Sequence, residues 1–190
     1  MNFPELYVLR HGETEWNAQN RMQGTLNSPL TDLGIEQARR QGQIFQDIDL
    51  KGFSILSSPQ GRAFQTAALA LAGRVDHIHT DKRLMEIGVG EWAGRIRSEL
   101  APPDQFEDTP DGALELYELA PGGEGFAALE QRCKALLSDL SGPTVMVTHG
   151  ITSRVLRATV LGLGLAGMAQ MPGGQGVVYH LKDGVQKRLS

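Results

Sequence analysis

Reactive side chains follow three separate apolar segments of the sequence, at the points where each segment would leave a β-strand. The first, YVLRHG, ends in Arg10 and His11, and the second, FSILSSPQGR, leads through a turn to Arg62. The third, VMVTHG, ends in His149 and Gly150. In an open parallel sheet, ligands bind beyond the carboxyl ends of the strands. We therefore expect these residues, although distant in sequence, to meet in one crevice.

These residue types suit chemistry on a phosphoryl group. The guanidinium groups of Arg10 and Arg62 present forked donors to phosphoryl oxygens, and the first turn of a helix at Arg62 would aim its N-terminus at the same anion. A neutral imidazole can attack phosphorus and form a covalent phosphoenzyme, which makes His11 the candidate nucleophile. His149 would donate a hydrogen bond to the equatorial oxygens in the transition state. Glu86, in RLMEIGVGEWAG, is the candidate acid for the leaving group, because partial burial could keep its carboxyl protonated.

Apolar runs of strand length alternate with longer helical patterns along the chain. The predicted strands are ELYVLR, FSILSS, VDHIHT and TVMVTH, and the predicted helices lie in TDLGIEQARRQGQIFQDI, PQGRAFQTAALALAG, EGFAALEQRCKALLSDL and GITSRVLRATVLGL. The chain closes with a hairpin, GVVYHLKDGVQKRLS, whose turn is Lys182, Asp183 and Gly184. This order predicts an α/β three-layer sandwich, with a mainly parallel central sheet, helices on both faces and an antiparallel edge.

Local signals place the ends and the buried faces of these helices. Thr31 or Asp32 would cap the first long helix, whose core face is marked by Leu33, Ala38, Gln41 and Phe45. In the next helix, Pro59 stands at the entrance and Gly73 at the end. The single cysteine, Cys133, excludes an intramolecular disulfide. It recurs at helical spacing with Phe126, Leu129, Leu136 and Leu140, which predicts a small core residue.

Residues 88–125 break the alternation of strands and helices, because they are rich in proline, glycine and acidic residues. We expect one domain over residues 1–190, with this segment inserted as a lid over the sheet. Residues 99–118 contain seven acidic residues and no lysine or arginine. This stretch of the lid would therefore offer no cation to a substrate.

Composition narrows the class of protein. The length of 190 residues suits one ordinary domain. The net charge is −4 without a basic block, which argues against a nucleic-acid or anionic membrane partner. No secretory signal or uninterrupted apolar stretch of membrane-spanning length is visible, so the sequence predicts a cytoplasmic protein. It leaves open whether that protein is a monomer or a homodimer.

A zinc site is the main rival interpretation of two histidines and a glutamate. Two arginines in the same pocket would repel a cation, and none of the short zinc-ligand spacings occurs, so we expect neither a metal nor a cofactor. His77 and His79 alternate along the predicted third strand and are better interpreted as ordinary strand residues than as a metal pair. GLGLAG matches a dinucleotide fingerprint, but it follows a helix and is predicted to be a loop.

Four motifs together resemble the histidine phosphatase superfamily, which includes the cofactor-dependent phosphoglycerate mutases. They are LRHGETEWNAQNRMQG, SSPQGRAFQTA, LMEIGVGEWAG and VTHG, in the family's order and spacing over nearly the whole chain. The resemblance implies that His11 becomes the phosphohistidine, that Arg10, Arg62 and His149 complete the phosphate pocket, and that Glu86 is the proton donor.

The resemblance also implies roles for residues that spacing alone would not assign. Asn17, Gln23 and Gly24, at the end of the first motif, would contact the phosphate or its ester. Gly150, beside His149, belongs with these substrate-binding residues. Trp16 and Trp92 flank the expected pocket in sequence, where either could line it, although packing is the default role of an aromatic side chain.

The expected function is a metal-independent phosphomonoesterase acting on small phosphorylated metabolites. A phosphoglycerate mutase is the alternative within the family. Two features count against it: the chain is shorter than such mutases and lacks their long lid and C-terminal tail, and Val89 stands where they carry a tyrosine. The acidic composition of residues 99–118 points the same way. A non-catalytic phosphate-binding domain is a second alternative, although every catalytic position of the motifs is filled.

Overall fold

A six-stranded sheet, counted over the residues described, forms the centre of the molecule. The computed structural model describes residues 3–100 and 114–190, and the strands stand in the order β3-β2-β4-β1-β5-β6. The strands are β1 (Leu6–Arg10), β2 (Ser54–Ser57), β3 (His79–Thr80), β4 (Thr144–Thr148), β5 (Val178–Lys182) and β6 (Val185–Leu189). β1 to β4 pair in parallel, and β5 and β6 pair antiparallel. The predicted parallel sheet with an antiparallel edge is confirmed.

Four long helices cover the two faces of this sheet. The helices are α1 (Glu15–Ala18), α2 (Asp32–Ile44), α3 (Gly61–Ala70), α4 (Glu115–Leu119), α5 (Gly125–Ser138) and α6 (Gly150–Val160). Helices α2 and α3 pack against each other, as do α5 and α6. Each pair belongs to its own hydrophobic cluster, which gives the expected three layers.

The alternation of side chains along a strand explains why both faces need helices. In β1, Tyr7 and Leu9 join the cluster of α2 and α3, whereas Leu6 and Val8 join the cluster of α5 and α6. All four are buried. A strand that is apolar on both faces can exist in water only between two covering layers.

Most of the predicted helix ends and buried helix positions agree with the structure. Thr31 is the N-cap of α2 and its side chain accepts the Gly34 amide, and Cys133 is fully buried in α5. The expected core position Leu33 is wrong, because that side chain is 48% exposed. Helix α3 begins at Gly61, after Pro59, and ends at Ala70, before Gly73.

The third strand is much shorter than predicted. VDHIHT was expected to form one strand, but only His79 and Thr80 pair, with Leu56 and Ser57 of β2. β3 lies at the edge of the sheet and has one neighbour, so pairing there depends on local chain direction more than on β propensity. His77 therefore precedes the strand instead of sharing a face with His79.

Two loop predictions can also be compared with the structure. The closing turn consists of Asp183 and Gly184, both at positive φ, with Lys182 still in β5. GLGLAG follows α6 and runs into a short 3₁₀ segment, Leu165–Gln170, so it does not open the βαβ unit that a dinucleotide site requires.

The predicted insertion is described only at its two flanks. Residues 101–113, which include Asp104, Glu107, Asp108 and Asp111, lie outside the described residues. The first flank forms 3₁₀ turns at Gly90–Trp92 and Arg97–Glu99, and the second forms α4. Both flanks contribute side chains to the core cluster of α5 and α6. That the segment acts as a lid stays a prediction.

Membrane association through a spanning helix has no support in the parts of the chain that the structure describes. Over residues 3–100 and 114–190, no helix has the length and apolar character needed to cross a bilayer.

A close backbone approach holds the loop after β1 against α2. A Cβ built on Gly12 would lie 2.1 Å from the Gly34 carbonyl oxygen, and one built on Gly34 would lie 2.0 Å from the Glu13 carbonyl oxygen. Both distances are far below contact, and the obstructing atoms belong to the backbone. The segment that carries His11 is therefore pressed against the first turn of α2.

We predict that Gly34→Ala destabilises the protein by about 1–3 kcal/mol, the usual cost of overpacking, although alanine favours helices. Urea unfolding measures the change. Gly142→Ala is the matched control, because a Cβ there meets nothing within 4 Å, and its effect should stay within about 0.5 kcal/mol. A Gly34→Ala protein as stable as this control would contradict the close approach.

Candidate active site

The register of β1 and β4 brings His11 and His149 together. Arg10 pairs with Thr148 across the two strands, so the histidines that follow leave the sheet side by side. The His11 amide donates to the Thr148 carbonyl oxygen at 3.0 Å, and the two imidazole centroids lie 5.1 Å apart. The expected meeting of these residues at the carboxyl edge is confirmed.

His11 is held in one orientation and one tautomer. Its Nδ1 lies 2.7 Å from the Gly12 carbonyl oxygen, which can only accept, so Nδ1 carries the proton and Nε2 keeps a lone pair in the neutral ring. Burial lowers the pKa of His11 well below its ordinary value, and the charges of Arg62 and Arg10 lower it further. A neutral imidazole with its lone pair on Nε2 is the form that can act as a nucleophile.

Arg62 is the best-anchored cation of the site. It is 1% exposed, and its Nη atoms donate to the carbonyl oxygens of Leu26, at 2.6 Å, and Gly24, at 3.0 Å. Its Nε donates to His11 Nε2 at 3.2 Å. Burial lowers the pKa of Arg62 to about 10, so the group stays cationic at neutral pH. Its backbone amide donates to Asn27 Oδ1, so this donor of the α3 N-terminus is already used.

Arg10 and Gly150 lie close together at the ends of β1 and β4. Arg10 Nε is buried and has no hydrogen-bond partner among the described residues. A Cβ on Gly150 would lie 3.3 Å from the Arg10 guanidinium carbon, so glycine lets this cation lie against the start of α6. Arg10 and Gly150 line the same cleft as His11, Arg62 and Glu86.

His149 is fully buried next to His11 and is not itself among the residues that line the cleft. Its Nε2 lies 2.8 Å from Ser58 Oγ, and its Nδ1 has no hydrogen-bond partner within the described parts of the chain. Burial lowers the pKa of His149 well below its ordinary value, with Arg62 and His11 adding to the effect. The ring is therefore neutral at neutral pH.

Glu86 reaches the cleft from the loop before the insertion and is 8% exposed. Its carboxyl oxygens accept the amides of Ile151, at 3.2 Å, and Thr152, at 3.0 Å, in the first turn of α6. The Thr152 hydroxyl and the Ile87 amide also donate to Oε1. These contacts fix the carboxyl of Glu86 in the cleft that His11 also lines.

The loop residues implied by the family resemblance all line the cleft. Asn17 Oδ1 accepts from the Thr14 amide and hydroxyl and from Gln175, which leaves the Asn17 amide hydrogens for a ligand. Gln23 Nε2 donates to Thr14 Oγ1 at 2.8 Å, and its Oε1 is buried without a partner in the described residues. Gly24 adopts φ +51° and directs its carbonyl oxygen at Arg62.

Five further residues line the cleft without having been predicted from the sequence. They are Arg21, Arg97, Tyr117, Ile151 and Arg154. The Tyr117 hydroxyl accepts from Arg97 Nη2 at 3.2 Å, although the two residues flank the insertion from opposite ends. Arg154 had a readable signal, because it stands one helical turn after Gly150 on α6. Arg21 stands two residues before Gln23, within the motif LRHGETEWNAQNRMQG.

The arginines weaken the argument against a mutase that rests on the acidic composition of residues 99–118. The lid stretch has no basic residue, yet the cleft receives three arginines from other segments. Val89 is buried, and its Cγ2 lies 2.6 Å from a Cβ built on Gly24, so its side chain packs beneath the loop. A tyrosine does line the cleft, Tyr117, although it comes from α4. Neither Trp16 nor Trp92 is among the lining residues.

Metal ligands are not grouped anywhere in the described residues. No three or more histidine, cysteine, aspartate or glutamate side chains there are placed to hold a metal ion. His77 and His79 are both exposed, with ring centroids 6.5 Å apart, as expected of ordinary surface residues.

Comparison with known proteins identifies the family to which this α/β fold and histidine-arginine cleft belong. The model of the histidine phosphatase superfamily (branch 1) matches residues 6–186. The chain belongs to this superfamily. A probable phosphoglycerate mutase, GpmB of Proteus mirabilis (strain HI4320), is 38% identical over 172 residues, covering 84% of this chain and 75% of the relative.

Solved structures of similar fold include enzymes described as phosphatases. A putative alpha-ribazole-5'-P phosphatase from Escherichia coli is 26% identical with a TM-score of 0.79, covering 98% of this chain and 95% of that one. The mycobacterial glucosyl-3-phosphoglycerate phosphatase, in a complex with VO3, is 28% identical with a TM-score of 0.78, covering 94% and 91%. These neighbours identify the chain as an enzyme of the phosphatase type.

The two buried neutral histidines should make stability depend on pH. Because their pKa values are depressed in the folded state, the unfolded chain binds protons that the folded chain does not once the pH falls below about 6.5. Below about pH 6.5 we expect the free energy of unfolding to fall by up to about 1.4 kcal/mol per pH unit for each histidine. Above that pH, the stabilisation that comes from keeping the two histidines neutral should be fully present.

Urea unfolding between about pH 7.5 and pH 5 tests this expectation. His149→Gln should flatten the dependence, whereas the control His79→Gln, which removes an exposed histidine, should leave the slope as it is. Equal slopes for the wild type and His149→Gln would contradict the assignment of His149 as a neutral buried group.

Proposed function

We propose that the protein hydrolyses phosphate monoesters through a phosphohistidine on His11, without a metal ion. The observation that carries the proposal is the state of His11. Its Nδ1 proton is bound to the Gly12 carbonyl oxygen, its Nε2 lone pair faces Arg62, and Glu86 lines the same cleft. Nucleophile, cation and acid thus surround one space in which a phosphoryl group can lie.

In the first step the Nε2 lone pair of His11 attacks phosphorus and forms the P–N bond. The ester P–O bond breaks, and its electron pair leaves with the alcohol oxygen, which takes the proton of Glu86. Arg10 and Arg62 neutralise the phosphoryl charge during this transfer, in a buried site where such interactions are stronger than in water.

In the second step water attacks the phosphohistidine. The Glu86 carboxylate, now deprotonated, takes a proton from that water, and the P–N bond breaks to return its electron pair to His11 Nε2. Inorganic phosphate leaves and Glu86 is protonated again. The proton on Glu86 and the lone pair on His11 Nε2 are both restored. Water is therefore the only reactant that the cycle needs besides the ester.

The substrate class we propose is a small phosphorylated metabolite. Two structural neighbours are described as phosphatases of such compounds, an α-ribazole phosphate and a glucosyl phosphoglycerate. The particular substrate of this chain would depend on Arg21, Arg97 and Arg154, which line the cleft together with the predicted phosphoryl-binding residues.

A phosphoglycerate mutase is the second candidate, and two observations favour it. The relative that is 38% identical is described as a probable mutase. In addition, Arg21, Arg97 and Arg154 line the cleft, where they could meet a second anionic group on a bisphosphorylated compound. Both reactions begin with the same phosphohistidine.

The roles of His11 and Glu86 can be separated by the leaving group. His11→Ala should abolish turnover of alkyl and aryl phosphates alike, because every substrate needs the nucleophile. Glu86→Gln should slow an alkyl phosphate by about 10²–10⁴-fold but p-nitrophenyl phosphate far less, because a nitrophenolate leaves without a proton. Steady-state rates on both esters measure these effects, together with detection of the phosphoenzyme after an alkaline quench and its loss on acid treatment.

Glu91→Gln is the control for this pair of assays, since Glu91 is exposed and does not line the cleft. It should retain activity on both esters. Equal losses on the two esters in Glu86→Gln would assign Glu86 to positioning or water activation, and a phosphoenzyme that persists in His11→Ala would move the nucleophile to His149. If the wild-type protein turned over no ester, the remaining interpretation would be a non-catalytic phosphate-binding domain.

Hydrolysis should exceed mutase activity by a wide margin. The reason is that Val89 packs into the core beneath the loop, in place of the tyrosine that the mutases carry at this position. The test supplies one monophosphoglycerate with a catalytic amount of bisphosphate and follows both free phosphate and the isomeric product. Efficient interconversion without phosphate release would establish the mutase instead.

A further inference from the structure

Ser58 is buried directly behind His149. It follows β2, is 0% exposed, and its Oγ lies 2.8 Å from His149 Nε2. The same Oγ accepts the Gln60 amide at 3.3 Å. Ser58 does not line the cleft, so anything it contributes to the reaction must pass through the histidine.

The donors and acceptors around Ser58 fix the direction of its bond to His149. A serine hydroxyl has one hydrogen to donate and two lone pairs to accept with. Since Oγ already accepts the Gln60 amide and donates to no other atom in the described residues, its hydrogen is available for His149. If Nε2 instead donated to Oγ, the buried hydroxyl hydrogen would be left without an acceptor, which is costly. The satisfied arrangement is Ser58 O–H donating to Nε2.

In the neutral ring only one nitrogen carries hydrogen, so a hydrogen bond accepted at Nε2 requires the proton to be on Nδ1. His149 Nδ1 is the buried atom that has no hydrogen-bond partner within the described residues. The ring lies 5.1 Å from that of His11, centroid to centroid, so the two imidazoles are neighbours at the ends of β1 and β4.

We propose that Ser58 is a positioning residue that holds His149 as the Nδ1–H tautomer, so that a neutral imidazole donates a hydrogen bond to the phosphoryl group on His11. The inference rests on the proposed function and deepens it. The burial that lowers the pKa of His149 supports it, because a protonated ring would carry hydrogen on both nitrogens and leave Ser58 nothing to select.

Both histidines then carry the ring hydrogen on Nδ1, but the two rings have different roles. In His11 the Nδ1 hydrogen is bound to the Gly12 carbonyl oxygen, which keeps the lone pair on Nε2, the atom to which Arg62 Nε donates. In His149 the Nε2 lone pair is occupied by Ser58, which frees the Nδ1 hydrogen for donation. A nucleophile and a hydrogen-bond donor are thereby made from identical side chains 5.1 Å apart.

Substitution of Ser58 tests the catalytic consequence. Ser58→Ala should lower kcat/KM by about 10-fold to 100-fold on both alkyl and aryl phosphates, the usual effect of removing a group that orients a reacting side chain. Ser58→Thr keeps the hydroxyl and should recover most of the rate. The matched control is Ser57→Ala, which removes an equally buried hydroxyl that donates to the Ser58 carbonyl oxygen and not to His149.

The tautomer itself can be observed without turnover. In protein with ¹⁵N-labelled histidine, the ring ¹⁵N shifts and their couplings to carbon-bound hydrogens show which nitrogen is protonated, and His149→Gln assigns the signal. We expect Nδ1–H in the wild type, a mixture with Nε2–H in Ser58→Ala, and movement of the Nδ1–H resonance when inorganic phosphate is added.

The outcomes separate this inference from the proposed function. An Nε2–H tautomer in the wild type, or equal losses of rate in Ser58→Ala and Ser57→Ala, would overturn the role of Ser58. An Nδ1–H signal that responds to phosphate in a wild-type protein without turnover would support the role of Ser58 and overturn the phosphatase proposal.

Discussion

The parallel pairing of β1 with β4 is the constraint on which the site depends. Arg10 stands opposite Thr148, and the ladder continues by one bond from the His11 amide to the Thr148 carbonyl oxygen. A slip of one residue would exchange the faces of every side chain in β1, turning Tyr7 and Leu9 toward the wrong helices and His11 away from His149. Because both faces of β1 are buried in different clusters, the cores of the protein and the spacing of its histidines are set by the same register.

Burial then gives the two histidines of the site their protonation state. Removing the imidazoles from water favours their neutral forms, while Arg62 remains charged because carbonyl oxygens of Gly24 and Leu26 meet its donors. The loop from Gly24 to Leu26 is thus as necessary as the strands, since it offsets the cost of a buried cation. In the proposed reaction, a phosphoryl group that enters the cleft meets a guanidinium group that is already desolvated and oriented. Little reorganisation of the site is then required during phosphoryl transfer.

The predictable part of this architecture is the part encoded in local patterns. Apolar runs that end in Arg10, His11 and His149 identify strands and their functional ends, because strand direction and burial leave a readable period. β3 was overestimated, since pairing at a sheet edge depends on the neighbouring strand. The link from Ser58 to His149 and the approach of Arg97 to Tyr117 join segments 91 and 20 residues apart. Such contacts depend on loop paths, which side-chain periodicity does not encode.

The chemistry and the selectivity of the cleft therefore come from different parts of the fold. The groups proposed to bind the phosphoryl group are positioned by strand ends, by the start of α6 and by backbone carbonyl oxygens. In contrast, Arg21, Arg97 and Tyr117 come from the loops and from α4. In the proposed mechanism, the phosphohistidine on His11 has two fates, transfer to water or to a second hydroxyl. We expect Arg21, Arg97 and Arg154 to influence which fate prevails, because they could hold a second anionic group in the cleft. On this proposal, changes at these three arginines would alter the acceptor while His11, Arg62 and His149 remain as they are. One fold could then serve both kinds of reaction that the names of the similar proteins describe.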